Sequence, residues 1–330
     1  MTGLQHGGDL EAFGIAHPRA ARPLIDLSTG INPNAYAPIF DPSWMKRLPG
    51  KGEEDACLAA FAAYAGVDPA YVSLMPGTQA IISGLPHLFQ PSCVAVLAPT
   101  YGEHAASSQA AGHFVSSPTA AEIMHEDAEI IVITNPNNPD GHIFDPASLS
   151  ELQHKQKVRG GWLIVDEAFV DCAPELSVAG RVEEGGLLVL RSFGKFFGLA
   201  GLRLGFLVGP DVITQKLARR LGPWGVGTGT LHIGQQAYAD AAWITATRGA
   251  LTASMNRLRA MVDPALGTSI GGTSLFHLLE MSNAQKAAGH LAAHGIFVRT
   301  FPDMPNYLRV GLPGEAWQWD RLETALNDWK

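Results

Sequence analysis

RSFGKFFGLAGLRLGF, residues 191–206, places a lysine just past an apolar run and an arginine eight positions after it. The run LLVLRSF (187–193) reads as a β-strand, so Lys195 follows its end, where a side chain opens into a cleft. Phe193, Phe196, Phe197 and Leu199 surround the lysine with apolar neighbours. Desolvation there lowers an amine's pKa and makes it nucleophilic toward a carbonyl carbon. Ser192 and Arg203, on either side, suit two groups that bind a phosphate. The alternative is a solvated surface lysine, against which the phenylalanines argue.

Working outward, CVAVLAP (93–99), EIIVITNP (129–136), GWLIVDEAF (161–169) and LGFLVG (204–209) are further apolar runs separated by helix-length segments. Near-continuous apolar strands of this kind belong to a mainly parallel sheet covered on both faces. Ligands of such sheets sit beyond the C-terminal ends of the strands. Residues 231–262 predict one long helix or two in series, closed by Asp263-Pro264. After it, SLFHLLEM (274–281), GIFVRTF (295–301) and NYLRVGL (306–312) read as strands, with helices over 283–294 and from Glu315 onward. This makes a small α+β domain.

The strand ends supply the chemistry. Asp166 follows four apolar residues, and a carboxylate buried there needs a partner; the other reading is a helix cap, which fits Glu167 better. In SLMPGTQAIISGL (73–85), Gly77, Thr78 and Gln79 open a helix whose free N–H groups can bind phosphate or simply be capped. Tyr101 ends another strand and can stack on a planar ligand or fill the rim. TNPNNPDG (134–141) is a stiff turn that can present one amide, Asn138, inward.

With 46% hydrophobic and 16% charged residues the 330-residue chain is globular, and its net charge of −8 argues against nucleic acid and anionic membrane as partners. Any anionic ligand must meet a local cluster of cations. The opening MTGLQHGGDLEAFG has no signal-peptide pattern and no stretch is long and apolar enough to span a membrane, so a cytoplasmic location is expected. Cys57, Cys93 and Cys172 lack zinc-ligand spacing and read as small hydrophobes, so no metal is expected.

Taken in order, Gly77-Thr78-Gln79, Tyr101, Asn138-Pro139-Asp140-Gly141, Asp166-Glu167-Ala168-Phe169, Ser192-x-x-Lys195 and Arg203 resemble fold type I enzymes dependent on pyridoxal 5′-phosphate (PLP). The resemblance covers almost the whole chain and lies in the branch holding histidinol-phosphate aminotransferase and threonine-phosphate decarboxylase. It implies the α/β aminotransferase fold, with a large PLP-binding domain over 40–235 and a small domain made of 1–39 and 236–330. It implies that Lys195 carries PLP as a Schiff base, Asp166 binds the pyridine nitrogen and Tyr101 stacks on the ring. Asn138 would reach the phenolic oxygen, and Thr78, Gln79, Ser192 and Arg203 the phosphate, with Gly77 allowing close approach. A homodimer with the active site at its interface is implied as well.

HGGD (6–9), IDLSTGINP (25–33), GPWGVG (222–227), IFVRTF (296–301) and YLRVGL (307–312) are similar to the threonine-phosphate decarboxylases of cobalamin synthesis. That implies a small anionic amino-acid phosphate as substrate, L-threonine O-3-phosphate, decarboxylated to (R)-1-amino-2-propanol O-2-phosphate. Arg309 would bind its α-carboxylate; His6, Asn32 and Arg299 would hold the remaining groups. Read alone, the two arginines are equally surface residues of strands. Transamination of histidinol phosphate or an aromatic amino acid is the alternative, because the two reactions differ only in which bond to the α-carbon stands perpendicular to the ring. A nucleotide site on GVGTGT (225–230) lacks the GxGxxG spacing, and a non-catalytic PLP-binding relative is disfavoured by the intact Lys195. Three departures from the wider pattern predict a looser grip on PLP: Phe169 for a tyrosine, Leu48-Pro49 for Tyr-Pro, and Gly194 for Ser or Thr.

Overall fold

The computed structural model describes residues 7–329. They divide into two compact units. One holds Tyr36–Asn138 and Ile143–Ile244; the other holds the chain up to Ala35, Pro139–His142, and the chain from Thr245 onward.

The first unit is built on a seven-stranded sheet. Its strands are β1 (Val72–Met75), β2 (Cys93–Val96), β3 (Phe114–Ser116), β4 (Ile130–Thr134), β5 (Trp162–Asp166), β6 (Leu187–Ser192) and β7 (Gly205–Val208). In space they run β1-β7-β6-β5-β4-β2-β3, and only β7 is antiparallel to its neighbours. Every residue of β4 and β6 is buried, which is why both read as unbroken apolar runs rather than alternating ones. One face packs Ile82, Leu85 and Leu217 against Val132, Ile164 and Leu190. Elsewhere Phe61 stacks on Phe206 of β7 with ring centroids 3.8 Å apart. Each such fully buried side chain contributes about 1.5–3 kcal/mol.

The second unit carries a four-stranded antiparallel sheet of β8 (Thr268–Gly272), β9 (Phe276–Glu280), β10 (Arg299–Phe301) and β11 (Met304–Gly311), ordered β10-β11-β9-β8. The expected single strand over 295–301 is instead two pieces. Ile296–Phe297 pairs in parallel with Ile25–Asp26, and the chain then joins the antiparallel sheet at Arg299. The helical stretch after residue 228 is two helices, Thr228–Ala239 and Ala241–Leu266. Pro264 does not close the second one but sits within its last turn, where the missing N–H costs only one late hydrogen bond.

Candidate active site

The C-terminal ends of β5 and β6 lie side by side, because Asp166 pairs with Leu190 as the last rung of their ladder. Asp166 is only 3% exposed. One of its carboxylate oxygens accepts from the Ala168 N–H at 3.1 Å, and the other lies 2.9 Å from Nε2 of the buried His104. A carboxylate at this depth is retained because both oxygens have partners.

Lys195 follows β6 and is half-buried. Its Nζ lies 5.9 Å from the centroid of the buried Phe169 ring. Behind it Phe193 stacks on Phe197 at 4.6 Å, and Phe197 on Trp243 at 5.6 Å, with Tyr238 edge-on to both Phe193 and Phe197. Gly194 has a packing reason: a Cβ there would fall 2.6 Å from the Ala200 Cα, so a serine or threonine has no room.

Arg203 begins its own corner. Its backbone is left-handed (φ 53°), and a Cβ on Gly77, itself at φ 79°, would meet its Nη2 at 2.8 Å. The guanidinium thus lies against the Cα of Gly77, beside Thr78 at the start of the helix Thr78–Gly84. Ser192 is buried at the end of β6. The Tyr101 hydroxyl donates to Oε1 of Gln79 at 3.0 Å, while Gln79 Nε2 donates to Glu103 at 3.3 Å. The Gln79 side chain is therefore engaged in holding Tyr101. Burial, with Glu103 and Asp166 adding to it, pushes the Tyr101 phenol up to about 12. In the turn after β4, the buried Asn137 is fixed by Thr100 and the Pro99 carbonyl, at 2.6 and 2.8 Å, and the next amide, Asn138, is half-exposed.

In the second unit, Arg299 and Arg309 stand directly opposite each other across β10 and β11. Arg309 is 7% exposed; its Nη2 donates to the Ser28 carbonyl at 2.7 Å, and its guanidinium lies over the Phe276 ring at 5.0 Å. Burial, reinforced by the charge of Arg299 and opposed by Asp26, lowers it to about 10. Arg299 is lowered too, by burial. Asn32 is buried and its Oδ1 accepts from the Asn34 N–H at 2.9 Å. His6 lies outside the described residues.

The first unit thus offers an amine, a buried carboxylate, an aromatic ring and a guanidinium with hydroxyls, a donor set suited to a phosphorylated aromatic aldehyde. The model of the aminotransferase class I and II family matches residues 48–322. The chain belongs to that family. Within this aminotransferase family it is 38% identical over 330 residues to a threonine-phosphate decarboxylase of Pseudomonas aeruginosa, with 99% of this chain and 98% of the relative covered. A second threonine-phosphate decarboxylase, from a Sinorhizobium species, is 39% identical, with 98% and 97% covered. A histidinol-phosphate aminotransferase of Mycobacterium tuberculosis is 31% identical over 74% of this chain and 69% of its own length. In fold the chain is similar to the histidinol-phosphate aminotransferase of Sinorhizobium meliloti in complex with pyridoxal-5′-phosphate, with TM-score 0.82 at 17% identity, covering 99% of this chain and 98% of that one.

Two features of this aminotransferase-family site were not read from the sequence. His104 braces Asp166; its signal was a histidine three positions after Tyr101, on the helix Glu103–Ala110. Arg191 is 3% exposed and forms ion pairs with Asp171 and, at 3.6 Å, with Glu167. Its signal was a charge inside the run LLVLRSF, which needs a buried counter-charge. Glu167 is no helix cap: it accepts from the Ser177 hydroxyl and the Val178 N–H, both at 2.7 Å.

Proposed function

We propose that the chain is a PLP-dependent carboxy-lyase that converts L-threonine O-3-phosphate to (R)-1-amino-2-propanol O-2-phosphate and CO₂, a step of cobalamin biosynthesis. The observation that carries this reading is coverage. The threonine-phosphate decarboxylase of Pseudomonas aeruginosa aligns with 99% of the chain, whereas the Mycobacterium tuberculosis histidinol-phosphate aminotransferase aligns with 74%.

PLP fits the residues present. The Gly77 corner is a cradle that any Cβ would fill, with Arg203 against it; by resemblance Arg203, Thr78, Gln79 through its N–H, and Ser192 would hold the phosphate. Asp166, braced by His104, would keep a proton on the pyridine nitrogen; Tyr101, locked by Gln79, would stack on the ring; Asn138 would reach the phenolic oxygen. Phe169 offers that oxygen no hydrogen bond. Lys195 would bind the aldehyde carbon through Nζ with loss of water, and would be freed when the substrate's amine takes its place. When bound, PLP supplies an aromatic system that takes up the electron pair left on the substrate's α-carbon as CO₂ departs.

Decarboxylation rather than transamination follows from the resemblance to the threonine-phosphate decarboxylases; by it Arg309 would take the α-carboxylate, and Arg299, with Asn32 and His6, the substrate's remaining groups including its phosphate. Lys195 then delivers a proton to the α-carbon. We place the enzyme in the cytoplasm as a homodimer. Ile39, Phe40, Met45 and Leu48 form a run of exposed apolar side chains, and the Ile39 backbone is held by both ends of the Gln236 amide at 3.0 Å. Such a fixed apolar surface suits a second copy. Among the described residues no helix is long and apolar enough to cross a membrane.

The test is mass spectrometry of products formed from O-phospho-L-threonine by the PLP-loaded protein without keto acid. Aminopropanol phosphate over many turnovers is expected. Product that appears only after 2-oxoglutarate is added, together with glutamate, would replace this reading with transamination.

A further inference from the structure

The backbone ladder between β5 and β6 ends at Asp166 and Leu190, with one further bond from the Glu167 N–H to the Leu190 carbonyl at 2.9 Å. Beyond that point the chains separate. One makes the turn Asp166–Cys172, which carries Asp166 and Phe169. The other continues through Arg191 to Ser192 and Lys195. Arg191 bridges this gap: its guanidinium bonds Asp171, and its Nη1 lies 3.6 Å from Glu167, so it grips the turn on both sides of Phe169.

The bridge is dry. Arg191, Asp171 and Glu167 are 3%, 2% and 1% exposed. The guanidinium lies 5.5 Å from the Phe61 ring centroid and 5.9 Å from that of Tyr64, and the Tyr64 hydroxyl donates to Asp171 at 3.0 Å. Burial opposes the charge of Arg191, and the carboxylates of Asp171 and Glu167 more than offset it, raising its pKa. Burial pushes the Glu167 carboxyl up in spite of Arg191. Desolvating a guanidinium and two carboxyls recovers little net stability, since well-packed apolar residues serve as well or better. What apolar packing lacks is direction, and hydrogen-bonded ion pairs supply it.

We propose that Arg191 is a positioning residue: with Asp171 and Glu167 it aligns the turn bearing Asp166 and Phe169 with the strand end bearing Ser192 and Lys195, and the network serves that alignment rather than stability. This rests on the cofactor reading above. The decisive variant combines Arg191→Met, Asp171→Leu and Glu167→Gln, which removes all three charges and keeps partners for Ser177 and Val178.

Two quantities are measured on the full chain: the urea midpoint after PLP is stripped, and the PLP dissociation constant after reloading. The pH midpoint of the visible absorbance of lysine-bound cofactor is followed as well. The expected result is a midpoint in urea equal to or above that of the unsubstituted chain, with PLP affinity weakened about tenfold or more and a displaced pH midpoint. Should the triple variant fail to fold, Arg191→Met combined with Asp171→Asn decides, because it removes both members of the closest ion pair together and keeps an acceptor for Tyr64; a weakened PLP affinity at unchanged urea midpoint is expected. PLP affinity unchanged in the variants overturns the proposal, and so does a loss of affinity that tracks a loss of stability. If the unsubstituted chain fails to retain PLP, the cofactor reading falls and the proposal with it, an outcome distinct from the other two.

Discussion

In the Lys195 unit the buried charges meet opposite charges or rings of their own chain: His104 beside Asp166, Arg191 between Asp171 and Glu167, the Lys195 amine above Phe169. In the Arg309 unit two cations, each over a ring of its own chain, are set opposite each other on adjacent strands; burial lowers both, and the charge of Arg299 lowers Arg309 further. Like charges in direct register cost a sheet stability, roughly 0.2–1 kcal/mol. The difference is one of sign: in the first unit a buried cation meets carboxylates of the same chain, whereas in the second two cations face each other across a strand pair.

The largest effect should follow from Lys195→Ala, which on the proposed reading removes the covalent anchor and the proton donor together. Turnover is expected to fall by roughly a thousandfold or more, and the visible absorbance of lysine-bound PLP to vanish. A variant that kept this absorbance would break the first half of the comparison. Arg309→Met should raise KM for O-phospho-L-threonine by about 10- to 100-fold, the worth of a charge-assisted contact, and leave PLP retention unchanged. An unchanged KM removes Arg309 from the substrate site, and lost PLP would show that the two units do not divide the work.

Tyr101→Phe probes the smallest effect. Burial pushes the folded phenol up to about 12 from an ordinary value of 10.0. Because the folded pKa is the higher one, the unfolded chain loses its proton first as pH rises, so this group's contribution to stability is complete below pH 10 and is lost as pH climbs toward 12. The variant should show a shallower fall in urea midpoint over that window and one fewer late tyrosine in an ultraviolet titration. An identical pH dependence would mean that Tyr101 is not held as described.

Strands buried on both faces leave continuous apolar runs, which made β2, β4, β5, β6 and β7 legible and with them Lys195 and Asp166 at the strand ends. Periodicity carries no direction, so the antiparallel course of β7 was not legible. Nor was β1, four residues folded into the approach to Gly77. Val298, between the two short strands that replace 295–301, is apolar like its neighbours and gives no sign that the chain changes sheets there. Side-chain partnerships over long separations were the hardest to read. His104 and Asp166 are 62 positions apart, and Arg191 and Asp171 are 20 apart. A sequence shows that a buried charge requires a partner, but only the fold selects which one.

The corner where Arg203 rests on Gly77 carries a consequence for heredity. The arginine keeps its guanidinium site only while position 77 has no side chain, and the glycine is required twice over, by its own left-handed backbone and by the arginine against it. Neither position can drift alone. Across descendants of this chain the two should be inherited as a pair, and a graft of one loop into a distant homologue would have to bring the other with it.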